Sequence, residues 1–181
     1  MRKLQNEELD RLSVEDFQSS IKMPVCLLLD NVRSLNNVGS AFRTGDAFRI
    51  DKIILTGITG QPPHREIQKT ALGATDNVTW QYEKTTSEAI DKLKQEGWTI
   101  ASVEQVEESQ DLRSFVPEEG AKYCFVFGNE VFGVEEAAVN KSDLCLEIPQ
   151  FGTKHSFNIS VSMGIVLWDY AMKAGFQSIS P

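Results

Sequence analysis

The chain has 181 residues, of which 41% are hydrophobic, and its 18 basic and 26 acidic residues give a formal net charge of −8. This length suits one domain with a substantial core, and the ordinary hydrophobic content argues against wholesale disorder. No apolar run reaches the roughly 18 residues of a membrane-spanning helix, so we expect no membrane partner. The acidic balance argues at first against a nucleic-acid-binding protein, which usually carries a basic surface.

The cysteines and histidines indicate neither a disulfide framework nor a metal site. Cys26, Cys124 and Cys145 lie far apart in apolar stretches, where we expect small buried side chains in a reducing compartment. His64 and His155 have no cysteine or carboxylate nearby at the spacing of zinc ligands. The N-terminus is charged and lacks the apolar stretch of a secretory signal, so we expect a cytoplasmic protein without a metal ion.

The sequence also lacks the short motifs of three common enzyme classes. It contains no P-loop of the GxxxxGK[ST] type, no GxGxxG after its first apolar run and no GxSxG nucleophile elbow. These absences remove the main support for a kinase, a Rossmann dehydrogenase or a serine hydrolase.

The first predicted element is a short polar helix over residues 6–20, within an accessory arm of residues 1–22. Beyond the arm, apolar runs alternate with helical patterns in a single domain of residues 23–181. The apolar runs predict strands at 25–29, 53–56, 78–82, 99–103, 123–127 and 144–148. The helical patterns fall at 37–48, 86–95 and 160–173. This alternation predicts an α/β fold with a mostly parallel sheet flanked by helices.

Three polar segments follow predicted strands, at the sheet edge where parallel sheets bind their ligands. In the first, Asn37 opens a helix and Arg43 follows almost two turns later, so we expect both side chains to approach one region. An N-capped helix with a solvated arginine explains the same spacing.

The second segment, residues 127–134, places Asn129 and Glu130 between two glycines. This pattern indicates a tight loop whose amides face a ligand, although an ordinary strand-to-helix turn also favours Gly and Asn. In the third segment, residues 147–160, a serine and an asparagine precede the last helix. They either belong to a site or simply cap the helix.

Together the three segments resemble the ordered motifs of the SpoU/TrmH family, SPOUT-class RNA ribose 2′-O-methyltransferases that use S-adenosylmethionine. The matching stretches are NVGSAFRT at 37–44, FGNEVFGV at 127–134, and IP at 148–149 followed by SFNIS at 156–160. The segment 62–74 also resembles the loop and helix end of tRNA-directed members. The sequence departs from the family pattern at Phe157, where leucine is more usual, and the larger ring changes the expected shape of the pocket.

The resemblance implies a C-terminal trefoil knot, in which the last helix passes through a loop and the knotted loops cradle the cofactor. Knots are otherwise rare, so the spacing of the elements alone predicts a plain doubly wound sheet. The resemblance also implies a homodimer with the cofactor near the subunit interface. On that basis we expect the last helix, including Trp168 and Tyr170, to be partly interface.

The resemblance further implies roles for individual residues. Arg43 is the expected catalytic residue, either as the general base or, since arginine is almost always protonated, as a cation that stabilises the alkoxide or holds a phosphate. The residues expected to act with it are Asn37, Glu130, Ser156 and Asn158. The expected cofactor-binding residues are Phe127, Gly128, Asn129, Gly133, Ile148, Pro149 and Phe157. The residues expected to contact RNA are Arg33, Arg49, His64, Arg65, Lys69 and Lys154.

The expected substrate is tRNA rather than rRNA. The sequence shows no separate N-terminal RNA-binding domain, and residues 71–74 resemble tRNA-directed members. The D-loop guanosine is the first expectation for the target and the wobble ribose the second. An rRNA methyltransferase, a non-catalytic RNA-binding or assembly factor, and a different α/β nucleotide-binding enzyme are the alternatives.

The distribution of charge reconciles the acidic total with an RNA substrate. Acidic residues concentrate at 6–16, 83–108 and 118–119, away from the three motifs. The segments around the motifs carry the basic residues instead. A local basic patch, doubled in a homodimer, therefore predicts selective and salt-sensitive RNA binding.

Overall fold

Seven parallel strands form one sheet within residues 1–5, 8–9 and 11–176, which are the residues that this computed structural model describes. The strands are β1 (Met23–Asp30), β2 (Ile50–Thr56), β3 (Thr79–Glu83), β4 (Trp98–Val103), β5 (Gln110–Asp111), β6 (Lys122–Phe127) and β7 (Leu144–Glu147). Their order across the sheet is β3-β2-β1-β6-β4-β7-β5, and every neighbouring pair is parallel. The predicted α/β fold with a parallel sheet is confirmed.

Helices connect the strands in the same part of the chain. They are α1 (Val14–Ser19), α2 (Leu35–Ala47), α3 (Arg65–Ala71), α4 (Ala74–Asn77), α5 (Thr86–Gln95), α6 (Glu136–Val139) and α7 (Ile159–Lys173), with a 3₁₀ helix at Leu112–Ser114. The predicted helices at 37–48, 86–95 and 160–173 correspond to α2, α5 and α7. The apolar pattern did not predict the short α3, α4 and α6, because segments of four to seven residues are too short to display an apolar period.

Alternate side chains of β1 enter two separate hydrophobic clusters, as expected for a strand buried on both faces. Leu27 and Leu29 join the cluster that includes residues of α2 and α7. Cys26 and Leu28 join the cluster that includes residues of α5 and α6. Helices therefore cover both faces of the sheet, and the carboxyl ends of the strands lead into the loops that carry the motifs.

The predicted N-terminal helix is confirmed over Val14–Ser19, and the other described residues of the range 6–20 lie outside the helix. It is confined to Val14–Ser19, because Ser13 caps it by accepting a hydrogen bond from the Asp16 N–H at 3.1 Å. Residues 6, 7 and 10 of the predicted helix lie outside the described residues. Phe17 is only 5% exposed and joins the cluster beneath α2 and α7, so the arm also contributes to the core.

The three cysteines are free, and Cys26 and Cys124 are fully buried as predicted. Cys145 is only partly buried. None of the helices in the described part of the chain has the length and apolar character of a membrane span. The trefoil knot stays a prediction.

Candidate functional site

A pocket of about 530 Å³ opens at the carboxyl edge of the sheet, beyond the ends of β4, β6 and β7. It is lined by residues 103–105 from the end of β4, residues 127–133 from the end of β6, and residues between 146 and 162 that lead from β7 into α7. Loops and helix N-termini converge at this edge of a parallel sheet, which is where such folds bind ligands. The second and third sequence motifs therefore meet in one place.

The loop after β6 is held in one conformation by its own backbone and by the Asn129 side chain. The N–H and carbonyl groups of Asn129 exchange two hydrogen bonds of 2.9 Å with those of Gly133. Oδ1 of Asn129 accepts hydrogen bonds from the N–H groups of Val131 at 2.9 Å and Phe132 at 3.2 Å. Its Nδ2 donates to the carbonyl of Asn31 at 2.8 Å, which ties the loop to the end of β1. This wall of the pocket is thus built from fixed backbone.

Gly128 and Gly133 are required by this loop for different reasons. A Cβ at Gly128 would lie 2.0 Å from the carbonyl carbon of Gly133, so the two arms of the loop approach too closely for a side chain. Gly133 has a φ of +71°, and a Cβ there would lie 2.2 Å from Oε2 of Glu104. Both positions therefore require glycine, as the tight-loop interpretation expects.

Glu130 joins the second motif to the first. Its carboxylate accepts hydrogen bonds from the N–H groups of Arg33 and Ser34, both at 3.0 Å. It also accepts one from Nδ2 of Asn37 at 2.9 Å. Partial burial acts to raise the pKa of Glu130, but these hydrogen bonds outweigh it, so the pKa lies below its ordinary value. The structure therefore brings Asn37 and Glu130 together at the start of α2.

Arg43 lies apart from this group. Its side chain is exposed on α2, does not line the pocket, and makes no hydrogen bond or ion pair with the described residues. Six residues of helix turn the chain by about 600°, which leaves Arg43 about 120° around α2 from the buried Asn37. Within a single chain the two side chains make no contact among the described residues, and the expectation that both approach one region stays a prediction.

In the third motif, Asn158 caps α7. Its Oδ1 accepts a hydrogen bond from the Ser160 N–H at 2.9 Å, so the capping interpretation holds at this position. Asn158, Ser156 and Phe157 also line the pocket. The other predicted cofactor-binding residues that line it are Phe127, Gly128, Asn129, Gly133 and Ile148. Pro149 does not, because it faces a neighbouring pocket beside α7.

The prediction missed Glu104 and Gln105, which line the pocket directly after β4. The Glu104 carboxylate accepts hydrogen bonds of 2.9 Å from the N–H groups of Val134 and Gln105. It therefore connects the end of β4 to the loop after β6. The sequence did indicate Glu104 and Gln105 in one respect. Both follow the predicted strand 99–103, and the pocket lies at the carboxyl edge of the sheet.

Asp30 and Asn31, at the end of β1, form a second connection to the loop after β6. Asp30 is fully buried, and its carboxylate accepts hydrogen bonds from Thr86 Oγ1 at 2.5 Å and from the Glu135 N–H at 2.7 Å. Asn31 has a left-handed φ of +54°. Its Oδ1 accepts from the Ile58 N–H at 3.1 Å, and its Nδ2 donates to Oε1 of Glu135 at 2.7 Å. Neither residue was among those predicted for the site.

The predicted RNA contacts divide into buried, paired and exposed side chains. Arg49 is only 9% exposed, and its guanidinium lies 4.9 Å from the centroid of the Phe176 ring. The prediction for Arg49 is therefore wrong, because its side chain packs against the protein. His64 accepts a hydrogen bond from the Glu66 N–H at 3.1 Å, and Lys69 forms a 2.8 Å ion pair with the Glu66 carboxylate. The exposed remainder is Arg33, Arg65 and Lys154.

A second pocket, of about 470 Å³, lies beside α7. Pro149, Val161 and Trp168 are among its apolar lining residues, and the last two are 49% and 60% exposed. Tyr170 is instead 2% exposed, and its ring centroid lies 5.7 Å from that of Tyr123. Burial raises the pKa of Tyr170 to about 12. The expectation of Tyr170 at an interface is wrong, because its ring lies in the core of its own chain.

These features define an α/β protein with a ligand pocket built from the segments that follow three strands at the carboxyl edge of a parallel sheet. The model of the SpoU rRNA Methylase family matches residues 24–168, and the chain belongs to this family. The resemblance inferred from the three motifs is thereby confirmed.

The relatives of known sequence include an rRNA methyltransferase and a methyltransferase whose name leaves the RNA substrate open. The chain is 30% identical over 159 residues to the 23S rRNA (guanosine-2′-O-)-methyltransferase RlmB of Neisseria meningitidis, covering 87% of this chain and 62% of that one. It is 27% identical over 173 residues to an uncharacterized tRNA/rRNA methyltransferase of Borreliella burgdorferi, covering 92% and 75%. The chain thus spans less than two thirds of the first relative.

Solved structures show the same fold. The AdoMet-bound rRNA methyltransferase from Sinorhizobium meliloti superposes with a TM-score of 0.79 at 23% identity, covering 94% of this chain and 63% of that one. The TrmH/SpoU tRNA modifying enzyme of A. aeolicus gives a TM-score of 0.78 at 23% identity, covering 90% and 80%.

Proposed function

We propose that the chain is an S-adenosylmethionine-dependent methyltransferase that acts on a ribose 2′-hydroxyl of RNA. The observation that carries this proposal is the pocket walled by the second and third family motifs. Its volume of about 530 Å³ lies within the range of roughly 300–1,000 Å³ that is usual for small-molecule sites.

The residues around the pocket suit this cofactor. Val103, Leu146 and Ile148 supply apolar surface for an adenine ring. The loop from Gly128 to Gly133 supplies fixed backbone at close range, where a Cβ would not fit. When bound, S-adenosylmethionine supplies a methyl group that its sulfonium already activates. The side chains of the two motifs, together with Glu104 and Gln105, would hold it.

The chain must then align the ribose hydroxyl with the methyl group and stabilise the charge that develops on the ribose oxygen. Alignment of two reacting groups is worth up to about 7–11 kcal/mol. Glu130 is committed to three hydrogen bonds, so we assign it to positioning the start of α2 rather than to removing a proton. We assign the catalytic role to Arg43. As a cation it would stabilise the developing alkoxide or hold an adjacent phosphate.

We further propose a homodimer built through α7. Val161, Trp168 and Met172 of this helix are between 49% and 60% exposed, and apolar surface of this kind is typical of subunit interfaces. The second pocket lies against the same helix. Because Arg43 lies outside the pocket of its own chain, the dimer offers a way for it to act on the pocket of a second copy.

For the substrate we propose tRNA first, with the D-loop guanosine as the first target and the wobble ribose as the second. The segment 62–74, which contains α3, supports this choice by its likeness to tRNA-directed members. Ribosomal RNA is the second candidate, favoured by the relative from Neisseria meningitidis. We place the reaction in the cytoplasm, where both kinds of RNA occur.

The test is to map 2′-O-methylated riboses in tRNA and rRNA from the host with and without the gene. The expected result is the loss of one methylation in tRNA, restored by the wild-type gene but not by Arg43→Ala. Loss of an rRNA methylation instead would select the second candidate. An unchanged pattern, together with no transfer of labelled methyl to total RNA in vitro, would contradict the enzymatic proposal.

A further inference from the structure

The charges around the pocket have one sign. Its lining contains three carboxylates, those of Glu104, Glu130 and Glu147, and contains no lysine or arginine among the described residues. His155 is the one other titratable side chain that the described lining includes. The pocket is therefore negatively charged. The proposed cofactor and the product that it leaves behind differ by one positive charge.

That difference follows from the proposed methyl transfer. S-adenosylmethionine carries a sulfonium, an ammonium and a carboxylate, so its net charge is about +1 at neutral pH. Transfer of the methyl group to the ribose oxygen leaves the sulfur as a neutral thioether. The sulfur keeps the electron pair of the broken bond, and the hydroxyl proton leaves the ribose oxygen. S-adenosylhomocysteine therefore has no net charge.

We propose that the three carboxylates make the pocket selective for the charged cofactor over its neutral product, with Glu104 as the principal determinant. This inference rests on the proposed function. Opposite charges attract most strongly where water is partly excluded, so the attraction at a pocket wall exceeds that at an open surface. The selectivity would favour release of the product and limit its inhibition.

Glu104 is the best placed of the three because its charge is fixed in the wall. Its two oxygens accept 2.9 Å hydrogen bonds from the N–H groups of Val134 and Gln105, so the carboxylate needs no reorganisation when a ligand binds. Glu147 is fixed more loosely, by one 2.8 Å hydrogen bond from Ser109 Oγ. Glu130 also holds the start of α2 through three hydrogen bonds, so its variants would change more than charge.

The experiment measures dissociation constants by calorimetry for S-adenosylmethionine, S-adenosylhomocysteine and sinefungin, an analogue in which an amine cation replaces the sulfonium. We expect the wild type to bind the two cations at least about fivefold more tightly than the neutral product. The Glu104→Gln variant should reduce this ratio by about threefold or more, and Glu147→Gln should reduce it less. Added salt should lower the wild-type ratio, because it screens the carboxylates.

Two further variants keep the result interpretable. Gln105→Glu adds a carboxylate at the pocket wall and should raise the ratio, whether or not Glu104→Gln folds well. Glu119→Gln removes an exposed carboxylate outside the pocket lining and should leave the ratio unchanged.

The outcomes separate the two proposals. If Glu104→Gln weakens all three ligands equally, or if the wild-type ratio is near one, charge selectivity is wrong while the cofactor assignment stands. If the wild type binds none of the three ligands, the cofactor assignment fails and the inference fails with it.

Discussion

Nδ2 of Asn37 donates a 2.9 Å hydrogen bond to Oε1 of Glu130, across 93 positions of sequence. This single contact joins the first family motif, at the start of α2, to the loop that walls the pocket. The side that would bind the ribose and the side that would bind the cofactor are therefore parts of one hydrogen-bonded unit.

Removing the charge of Glu130 should weaken the start of α2 and change the response of the fold to acid. The folded-state pKa of Glu130 lies below its ordinary value of 4.5, so its contribution to stability is present above that value and is lost as the pH falls through the lower folded pKa. Glu130→Gln should thus be less stable than the wild type at pH 7. The difference should shrink as the pH falls below about 4.5. Urea unfolding at several pH values measures this, and a constant difference would contradict it.

The Arg43→Ala variant should lose methyl transfer while it retains its fold and its affinity for S-adenosylmethionine. The side chain is exposed and outside the pocket, so its removal leaves packing and cofactor contacts unchanged. Single-turnover transfer and calorimetric binding are the two measurements, with the exposed Arg11→Ala as the matched control. Substantial transfer by Arg43→Ala would remove this residue from the catalytic role.

The Gly133→Val variant should lower cofactor affinity by at least about tenfold, because the new side chain requires Glu104 to move and strains a backbone φ of +71°. Gly120→Val is a matched control. Gly120 also has a positive φ, of +75°, but nothing lies within 4 Å of its Cβ position. Both variants should lose some thermal stability, and only Gly133→Val should lose binding. Equal affinities in the two variants would show that this loop is not the cofactor site.

A mixture of Arg43→Ala and Gly133→Val chains should recover methyl transfer if each pocket is completed by a second copy. A mixed dimer then contains one site with an intact pocket and an intact arginine. About a quarter of the wild-type rate is expected after subunit exchange, since half of randomly assembled dimers are mixed and each has one working site. No recovery, with mixed dimers verified by affinity tags, would assign Arg43 to its own chain.

The Trp168→Lys variant should dissociate the homodimer. Its ring is 60% exposed on α7 next to the second pocket, and a lysine in that position would place a charge within the proposed apolar interface. Light scattering coupled to size-exclusion chromatography gives the mass, and Ile21→Lys, at a 78% exposed position outside α7, is the control. A wild type that runs as a monomer, or a Trp168→Lys variant that remains dimeric, would exclude this interface.

The structural features that could be predicted are those that depend on residues close together in the sequence. The apolar run at 25–29 is buried on both faces in β1, and Gly128 with Gly133 forms the tight loop that their spacing indicates. β5 escaped prediction because it is two polar residues, Gln110 and Asp111, held only by pairing with β7. Strand pairing of this kind depends on the sheet and leaves no periodic pattern.

The site residues that escaped prediction depend on contacts between distant segments. Glu104 belongs to no motif, and its importance arises from the amide of Val134, 30 positions away. The sequence places Arg49 among the basic residues expected to contact RNA, yet the fold places its guanidinium over the ring of Phe176. Trp168 and Tyr170 are both aromatic residues of an apolar helix, and only the packing of α7 separates the exposed ring from the buried one.

The conformation and hydrogen bonds of Asn31 limit which residues the chain can accept at this position. The position requires a left-handed backbone, an oxygen for the Ile58 N–H and a donor for Glu135. Glycine would satisfy the backbone alone, and aspartate would set a second carboxylate against Glu135. Alanine would satisfy none of the three requirements. Asparagine meets all three requirements at position 31, whereas glycine, aspartate and alanine do not. Substitution there is therefore restricted, although the side chain does not line the pocket.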